Sequence, residues 1–221
     1  MKSVVVSGGF GKLGQAVVRA LAPEYNIIVI TRRGSILNDP KLREQVAHVI
    51  EADLVADNAH DTLAQALSQF PVASALVNAA ADTNFHMFSH EIYGRQHLAA
   101  SQLSTNVIGP AICAAALFET HWKDRPLSRN TAGVLNISSI SGKVPFFGTR
   151  QCFYAASKSA LNMLTLYMAK EYEPFNIRVN GLSFGSLSSP RAIERAGAAV
   201  RSVLMSDHAG KIFELSQDPT I

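Results

Sequence analysis

The sequence predicts an α/β fold, in which a doubly wound parallel sheet of about seven strands carries helices on both faces. Two patterns lead to this prediction. Short runs rich in β-branched residues alternate along the chain with segments of helical period, and most of these runs are apolar throughout, as in strands buried on both faces. The chain has 221 residues, of which 48% are hydrophobic. This size and composition favour one domain with one core, spanning residues 1–221.

The elements follow from local patterns. Strands are predicted at Ser3–Ser7, Asn26–Thr31, Val46–Glu51, Ala73–Asn78, Gly133–Ile137, Ile177–Asn180 and Lys211–Leu215. Helices are predicted at Gly11–Leu21, Asp61–Phe70, Leu103–Phe118, Phe153–Tyr172 and Ala192–Met205. In the first helix, Leu13, Val17 and Leu21 recur at helical spacing and mark one apolar face. Residues 82–100 and 121–131 are polar and show no period, so we expect loops there.

Charge and cysteine content argue against several classes of protein. The net charge is +3 and the sequence pI is about 9.0, but the basic residues are scattered and are not interleaved with aromatic ones, so no nucleic-acid partner is expected. Cys113 and Cys152 have no metal-ligand spacing and the seven histidines form no ligand set, so we expect buried, reduced thiols and no metal. No apolar stretch is long enough for a membrane span or a signal core, which predicts a cytoplasmic protein.

Four glycines crowd residues 8–14, in the order Gly8-Gly9-Phe10-Gly11-Lys12-Leu13-Gly14. The stretch follows the first predicted strand and opens the first predicted helix, which is the context of a dinucleotide-binding loop. Glycine lets the backbone turn sharply and approach a pyrophosphate, and the helix N-terminus then offers unpaired N–H groups. A tight turn without a ligand is the alternative.

Arg32 and Arg33 follow the second predicted strand, where a carboxylate would bind the ribose hydroxyls of NAD. A guanidinium there suits a 2′-phosphate instead, because its planar fork donates two parallel hydrogen bonds. NADP(H) is therefore favoured over NAD(H), with a solvated surface pair as the alternative. Lys12 is interpreted as a second cation for NADP(H), and a solvated lysine at a helix start is its alternative.

The stretch YAASK places Tyr154 and Lys158 four residues apart, on one face of a predicted helix. A free tyrosine has a pKa of about 10, and a neighbouring ammonium lowers that pKa by stabilising the phenolate. The phenol then exchanges a proton with an alcohol or carbonyl oxygen. Ser139 lies at the carboxyl end of a strand, where open α/β sheets bind ligands. This tyrosine–lysine spacing is also common by chance, and its place downstream of the glycine loop favours chemistry.

Together these motifs resemble the short-chain dehydrogenase/reductase family, in its compact, non-extended branch, from about residue 3 to residue 188 and weakly to residue 215. The matching stretches are the glycine loop, ADL at 52–54, LVNAAA at 76–81, STNVIG at 104–109, NISSISG at 136–142, YAASK at 154–158 and IRVNGLSFG at 177–185. The resemblance implies a Rossmann fold and an enzyme. The implied reaction is NADP(H)-dependent hydride transfer between nicotinamide and a ketone or secondary alcohol.

The resemblance also implies roles for individual residues. Tyr154 would be the acid/base, and Lys158 would lower its pKa and hold the nicotinamide ribose. Ser139 would orient the substrate oxygen, with Ser138 and Ser141 as alternatives, and Asn106 would anchor a water chain. The cofactor contacts implied are Gly8, Phe10, Gly11, Lys12, Leu13, Gly14, Arg32, Arg33, Asp53, Leu54, Asn78, Ala79, Ala80, Leu187 and Ser188.

The chain departs from the family pattern after Ser188, where a long helical substrate lid is usual. We expect residues 189–221 to form a reduced lid region and the last strand. A catalytically idle dinucleotide-binding or redox-sensing module is therefore the alternative function, although such a module has no need for the tyrosine, lysine, serine and asparagine set. Family members commonly pair through the helices at 103–118 and 153–172, which implies a homodimer or homotetramer.

Overall fold

A computed structural model describes residues 2–32, 34, 39–125 and 132–215. Its strands form one parallel sheet in the order β3-β2-β1-β4-β5-β6-β7, which confirms the predicted fold class. The strands are β1 (Lys2–Ser7), β2 (Tyr25–Thr31), β3 (Val46–Glu51), β4 (Ala73–Asn78), β5 (Ala132–Ser139), β6 (Ile177–Phe184) and β7 (Ile212–Leu215). The helices are α1 (Lys12–Leu21), α2 (Pro40–Glu44), α3 (Ala59–Leu67), α4 (Gln96–Leu103), α5 (Gly109–Leu117), α6 (Cys152–Tyr172) and α7 (Pro190–Met205).

Both faces of the sheet are covered, because successive side chains of a strand point to opposite faces. In β1, Val4 and Val6 pack with α1 and α7 residues such as Val17 and Val200. Val5 packs on the other face, in the cluster that holds Leu117 of α5. This two-sided burial explains why the strands are apolar throughout.

Strand β6 is longer than the sequence suggests. It continues from the predicted end at Asn180 to Phe184, because β5 pairs with it along its whole length and Ser139 lies opposite Phe184. The polar and glycine residues in this stretch hide the strand from a pattern search. Only residues 185–189 then separate β6 from α7, and α7 packs against α1.

One long helical run extends from Gln96 to Trp122 and combines α4, α5 and two π-helical segments, Ser104–Ile108 and Phe118–Trp122. The prediction of a loop up to residue 100 is therefore wrong at its end, since the polar start of α4 masks its helical character. Against the expectation that no stretch is long enough for a membrane span, this run is long and apolar enough to cross a membrane by length and composition alone, with a mean hydropathy of 1.2. Its buried side contributes Cys113 and Leu117 to the core.

The strand order reverses between β1 and β4. From β1 the chain adds β2 and β3 on one side, and from β4 it adds β5, β6 and β7 on the other. Ligands bind at such a switch point, in the crevice beyond the carboxyl ends of the strands. The glycine loop after β1 and residues 79–85 after β4 both lie at this edge. The topology thus fixes where a functional site is to be sought.

The two cysteines have different environments. Cys113 is fully buried, and burial raises the pKa of its thiol to about 12. Cys152 is exposed, which corrects the expectation that both are buried. It opens α6, whose first turn lies at the sheet edge instead of in the core.

Candidate active site

The glycine loop is packed too closely for side chains at Gly8, Gly9 and Gly14. Gly8 has a φ of +68°, and a Cβ there would lie 2.7 Å from the Cα of Ala80. A Cβ at Gly14 would lie 2.1 Å from the carbonyl oxygen of Gly8. The loop therefore folds directly onto the start of α1 and onto the residues after β4.

The start of α1 suits an anion. No side chain caps this helix, and its first turn holds no acidic residue. Its first residue is Lys12, although the positive end of a helix dipole disfavours a cation. A bound pyrophosphate would accept hydrogen bonds from the free N–H groups and offset both positive charges. The residues present thus fit a dinucleotide.

A cavity of about 1300 Å³ runs along this edge of the sheet. It exceeds the roughly 300–1,000 Å³ of most small-molecule pockets, as an extended dinucleotide plus a substrate requires. The predicted cofactor residues that line it are Gly8, Phe10, Gly11, Lys12, Leu13, Gly14, Arg32, Asp53, Leu54, Ala79, Ala80, Tyr154, Lys158 and Leu187. Arg33 lies outside the described residues.

Two predicted cofactor contacts do not line the cavity. Asn78 is buried within the sheet, where its amide donates to Asn136 Oδ1 at 2.8 Å and to the Pro110 carbonyl at 3.2 Å. Ser188 is also absent from the lining, to which the same connection contributes Gly185 and Ser186. Asn78 thus holds the sheet to the helical run.

Tyr154 and Ser139 lie together at the other end of the cavity. Both line the cavity, and the Ser139 side chain is near enough to Tyr154 to favour its phenolate and lower its pKa. The neighbouring serines face elsewhere, because Ser138 Oγ donates to the Lys158 carbonyl at 3.4 Å and Ser141 Oγ donates to Gln151 Oε1 at 3.1 Å. The geometry therefore selects Ser139 among the serine alternatives as the partner of Tyr154.

Lys158 is buried one turn below Tyr154. Its Nζ lies 5.8 Å from the centre of the Tyr154 ring and donates to the carbonyl oxygen of Ile137 at 2.9 Å. Burial lowers the pKa of its ammonium to about 8, because no carboxylate offsets the loss of hydration.

The pKa of Tyr154 does not follow the expectation from sequence. It is raised above its ordinary value, because burial disfavours the phenolate more than the Ser139 side chain favours it. Lys158 causes no resolved lowering, which corrects the prediction from the four-residue spacing. The Lys158 ammonium donates its hydrogen bond to the carbonyl oxygen of Ile137 and not to the phenol.

Asn106 lies in the π-helical segment and is fully buried. Its Oδ1 accepts from the Asp82 N–H at 2.7 Å, and its Nδ2 donates to the Asp82 carbonyl at 2.9 Å and to Ser157 Oγ at 3.0 Å. The side chain does not line the cavity. It therefore fixes the backbone after β4 against α6, instead of presenting its amide to a ligand.

Sequence reasoning missed residues that line the substrate end of the cavity, among them Asp82, Phe85 and Gln151. Phe146 and Phe184, whose aromatic side chains are candidates from sequence for an apolar substrate pocket or for core packing, also line the cavity. Asp82 and Phe85 directly follow the strand β4 and its alanines, and this position was the available signal. Within the described ranges, no group of three or more His, Cys, Asp or Glu side chains forms a metal site.

The geometry agrees with the comparison to known families. The family model described as short chain dehydrogenase matches residues 2–197. The chain therefore belongs to the short-chain dehydrogenase/reductase family, whose members are oxidoreductases that bind a nicotinamide dinucleotide.

Individual relatives are distant. The protein FixR of Bradyrhizobium diazoefficiens is 34% identical over 51% of this chain and 41% of its own length. The uncharacterized oxidoreductase UxuB of Bacillus subtilis is 26% identical over 83% of this chain and 70% of its own. A Brucella ovis oxidoreductase of the family, in complex with a partially ordered NAD, has a TM-score of 0.76 at 23% identity and covers 97% of this chain and 99% of its own. A variant of actinorhodin polyketide ketoreductase with NADPH has a TM-score of 0.82 at 18% identity over 97% and 95%.

Proposed function

We propose that the protein is an NADP(H)-dependent oxidoreductase that transfers a hydride between nicotinamide and a ketone or secondary alcohol. The observation that carries the proposal is the juxtaposition of Ser139 and Tyr154 near buried Lys158, in the cavity that also contains the glycine loop. The two hydroxyl groups lie together in the cleft, as the binding of a carbonyl oxygen requires.

The proton chemistry falls to the Ser139–Tyr154 pair. Ser139 and Tyr154 hold the substrate oxygen, and in the reducing direction the Tyr154 hydroxyl donates its proton to that oxygen. In the oxidising direction the phenolate accepts the alcohol proton. Lys158, one helical turn from Tyr154, is assigned to the nicotinamide ribose. The nicotinamide, when bound, supplies or accepts the hydride.

Arg32 supports the preference for NADP(H). It lines the cavity directly after β2, where no carboxylate stands at the strand end. Its guanidinium suits the 2′-phosphate. Lys12 lies near a different part of the cavity from Arg32. Its Nζ donates to the carbonyl of Leu187, which follows β6, and β6 lies four strand positions away from β2, the strand that Arg32 follows. We assign Lys12 to the pyrophosphate, and not to the 2′-phosphate.

The test is oxidation of NADPH with a panel of ketones by the wild type and by Tyr154→Phe. We expect the variant to lose at least about a hundredfold in kcat, the scale of general acid–base catalysis, and to keep its affinity for NADPH. Tyr93→Phe, an exposed tyrosine outside the cavity lining, is the matched control. Cofactor binding without turnover of any ketone or alcohol would favour the idle binding module.

We further propose a homodimer. Apolar side chains are exposed on one side of the long helical run and on α6, namely Leu103, Ile108, Met163, Leu166 and Tyr167. Such a contiguous apolar face is typical of an interface. Light scattering should give twice the monomer mass, and Met163→Glu should shift it towards the monomer; an unchanged monomeric mass in the wild type would rule out the dimer.

A further inference from the structure

Residues 82–91, which we name the β4–α4 segment, run along the substrate side of the cavity. Asp82, Asn84 and Phe85 line that side. The Phe85 ring lies 5.6 Å from the Tyr154 ring, tilted by 53°, and is 49% exposed. An apolar aromatic ring therefore lies next to the ring of Tyr154.

The first part of the segment is held in place by two buried amide side chains. Gln102, which is almost fully buried, donates through Nε2 to the carbonyls of Asp82 at 3.2 Å and Asn84 at 2.8 Å. Asn106 binds both the N–H and the carbonyl of Asp82. Two buried amides are thus committed to the backbone that carries Phe85, so this part is a rigid wall.

The second part is tied to the start of α6. Arg150 forms an ion pair with Glu91 at 2.5 Å and lies over the Phe88 ring, 5.2 Å from its centre. Met87 forms a β-bridge with Gln151. Arg150 has a φ of +59°, which a residue with a side chain adopts at a cost. The ion pair, the ring contact and the bridge compensate this strain, and Tyr154 lies only one turn further along the chain.

The opposite side of the cleft is formed by the end of β6, the connection to α7 and α7 itself. The connection is five residues long, and α7 is held on α1, where a Cβ at Gly197 would lie only 2.6 Å from the Ala16 carbonyl oxygen. The residues that line the cavity from this side are Phe184, Gly185, Ser186, Leu187 and Ile193. The β4–α4 segment is the wall that places an aromatic ring next to the Tyr154 ring.

The charges near this wall do not suit an anionic substrate. The basic side chains that line the cavity within the described residues are Lys12, Arg32 and Lys158, which serve the cofactor end and the proton chemistry. Arg150 is paired with Glu91. Burial opposes ionisation of Asp82, but hydrogen bonds from His86 and Asn84 hold the pKa of this carboxyl below its ordinary value. A carboxylate or phosphate on the substrate would thus meet a negative charge.

The structure assigns substrate selection to the β4–α4 segment, and this assignment rests on the proposed function. Phe85 is the specificity-determining residue, and it favours uncharged ketones and secondary alcohols that carry a flat apolar group beside the reacting carbon. Arg150 is a positioning residue, which acts through Glu91 to hold the segment against the start of α6.

The test of Phe85 compares three ketones: acetophenone, 2-butanone and 4-acetylbenzoate. Wild type should prefer acetophenone to both others. Phe85→Ala should raise the KM for acetophenone about tenfold, and leave kcat, the KM for 2-butanone and the NADPH affinity within about twofold. Phe147→Ala, an exposed phenylalanine outside the cavity lining, is the matched control and should change none of them. Equal effects on both neutral ketones, or a preference for 4-acetylbenzoate, would overturn the assignment.

Saturation-transfer NMR of acetophenone with the NADPH complex separates this proposal from the proposed function. If acetophenone binds but is not turned over, and Phe85→Ala weakens its binding, the proposed activity is wrong and the assignment of substrate selection to Phe85 still holds. If the ketones are turned over and Phe85→Ala changes neither their binding nor their turnover, the proposed activity holds and the assignment to Phe85 is wrong.

The positioning role of Arg150 is tested by a double-mutant cycle with Glu91. Arg150→Met and Glu91→Gln should each raise the KM for acetophenone about threefold to tenfold, and the double variant should be no worse than either. Arg150→Lys should restore part of the loss. Additive effects, or a fall in kcat at unchanged KM, would show that the pair does not act through the wall.

Discussion

Lys12 Nζ donates a hydrogen bond to the carbonyl oxygen of Leu187 across 3.2 Å, and so joins the start of α1 to the connection after β6. Both residues line the cavity, on either side of the position that a pyrophosphate would occupy at the helix N-terminus. Lys12→Met should therefore raise the Kd of NADH and of NADPH by the same factor, about threefold to tenfold. Fluorescence titration of both reduced cofactors measures this.

Lys41 supplies the matched control for Lys12. It is an exposed lysine in the first turn of α2 and does not line the cavity, so Lys41→Met should leave both Kd values unchanged. If Lys12→Met weakened NADPH alone, the lysine would belong to the 2′-phosphate after all.

Arg32→Ser should separate the two cofactors. A charge-assisted hydrogen bond to the 2′-phosphate is present only with NADPH, so the NADPH Kd should rise by about tenfold to a hundredfold and the NADH Kd should stay within about twofold. The same titration measures this selectivity. Parallel weakening of both cofactors would contradict the preference for NADP(H).

Lys158→Met should remove activity and stabilise the fold. The pKa of Lys158 falls from 10.5 to about 8 on folding, so between these values the unfolded chain binds more protons and wild-type stability rises with pH. Below about pH 8, the full cost of burying the Lys158 ammonium is subtracted from the stability of the wild type. The variant should thus exceed the wild-type Tm by roughly 2–8 °C at pH 7, and the difference should shrink by pH 9.5. A Tm difference between variant and wild type that is constant with pH would contradict a buried, titrating ammonium.

Asn78→Ala should reduce stability and leave cofactor affinity unchanged. The substitution removes the hydrogen bond to Asn136 Oδ1 and leaves that buried acceptor without its partner. We expect a loss of about 1–3 kcal/mol in the free energy of unfolding, measured with urea. Weaker NADPH binding at unchanged stability would return Asn78 to the cofactor site.

The sequence was sufficient for the fold and for the residues proposed to carry the chemistry, because both depend on local patterns. The alternation of apolar strands with helices specifies the sheet, and the four-residue spacing brings Tyr154 and Lys158 to one helix face. The resemblance already placed Ser139 ahead of Ser138 and Ser141, and the structure adds the physical reason for that choice. It depends on how one strand end faces the first turns of α6, which no local pattern encodes.

Other features depend on contacts between distant residues. Arg150 and Glu91 are separated by 59 positions, and each alone resembles a solvated surface charge. The sequence also misled on the pKa of Tyr154, because spacing gives the neighbour but not the burial of both groups. Asn78 fits a cofactor motif by its letters, whereas burial and its amide partners assign it to the sheet.

The π-helical segment Ser104–Ile108 gives a different view of how this site could have arisen. A π segment amounts to one extra residue within an α-helix. Deleting one residue there would turn the wide turn into a regular α turn and leave the flanking helices in register, but would remove the side-chain directions that are particular to the π segment. Asn106 would then lose its alignment with Asp82, and the wall would lose its foundation. The site can thus be gained or lost by a single codon's insertion or deletion, within a helix that remains otherwise intact.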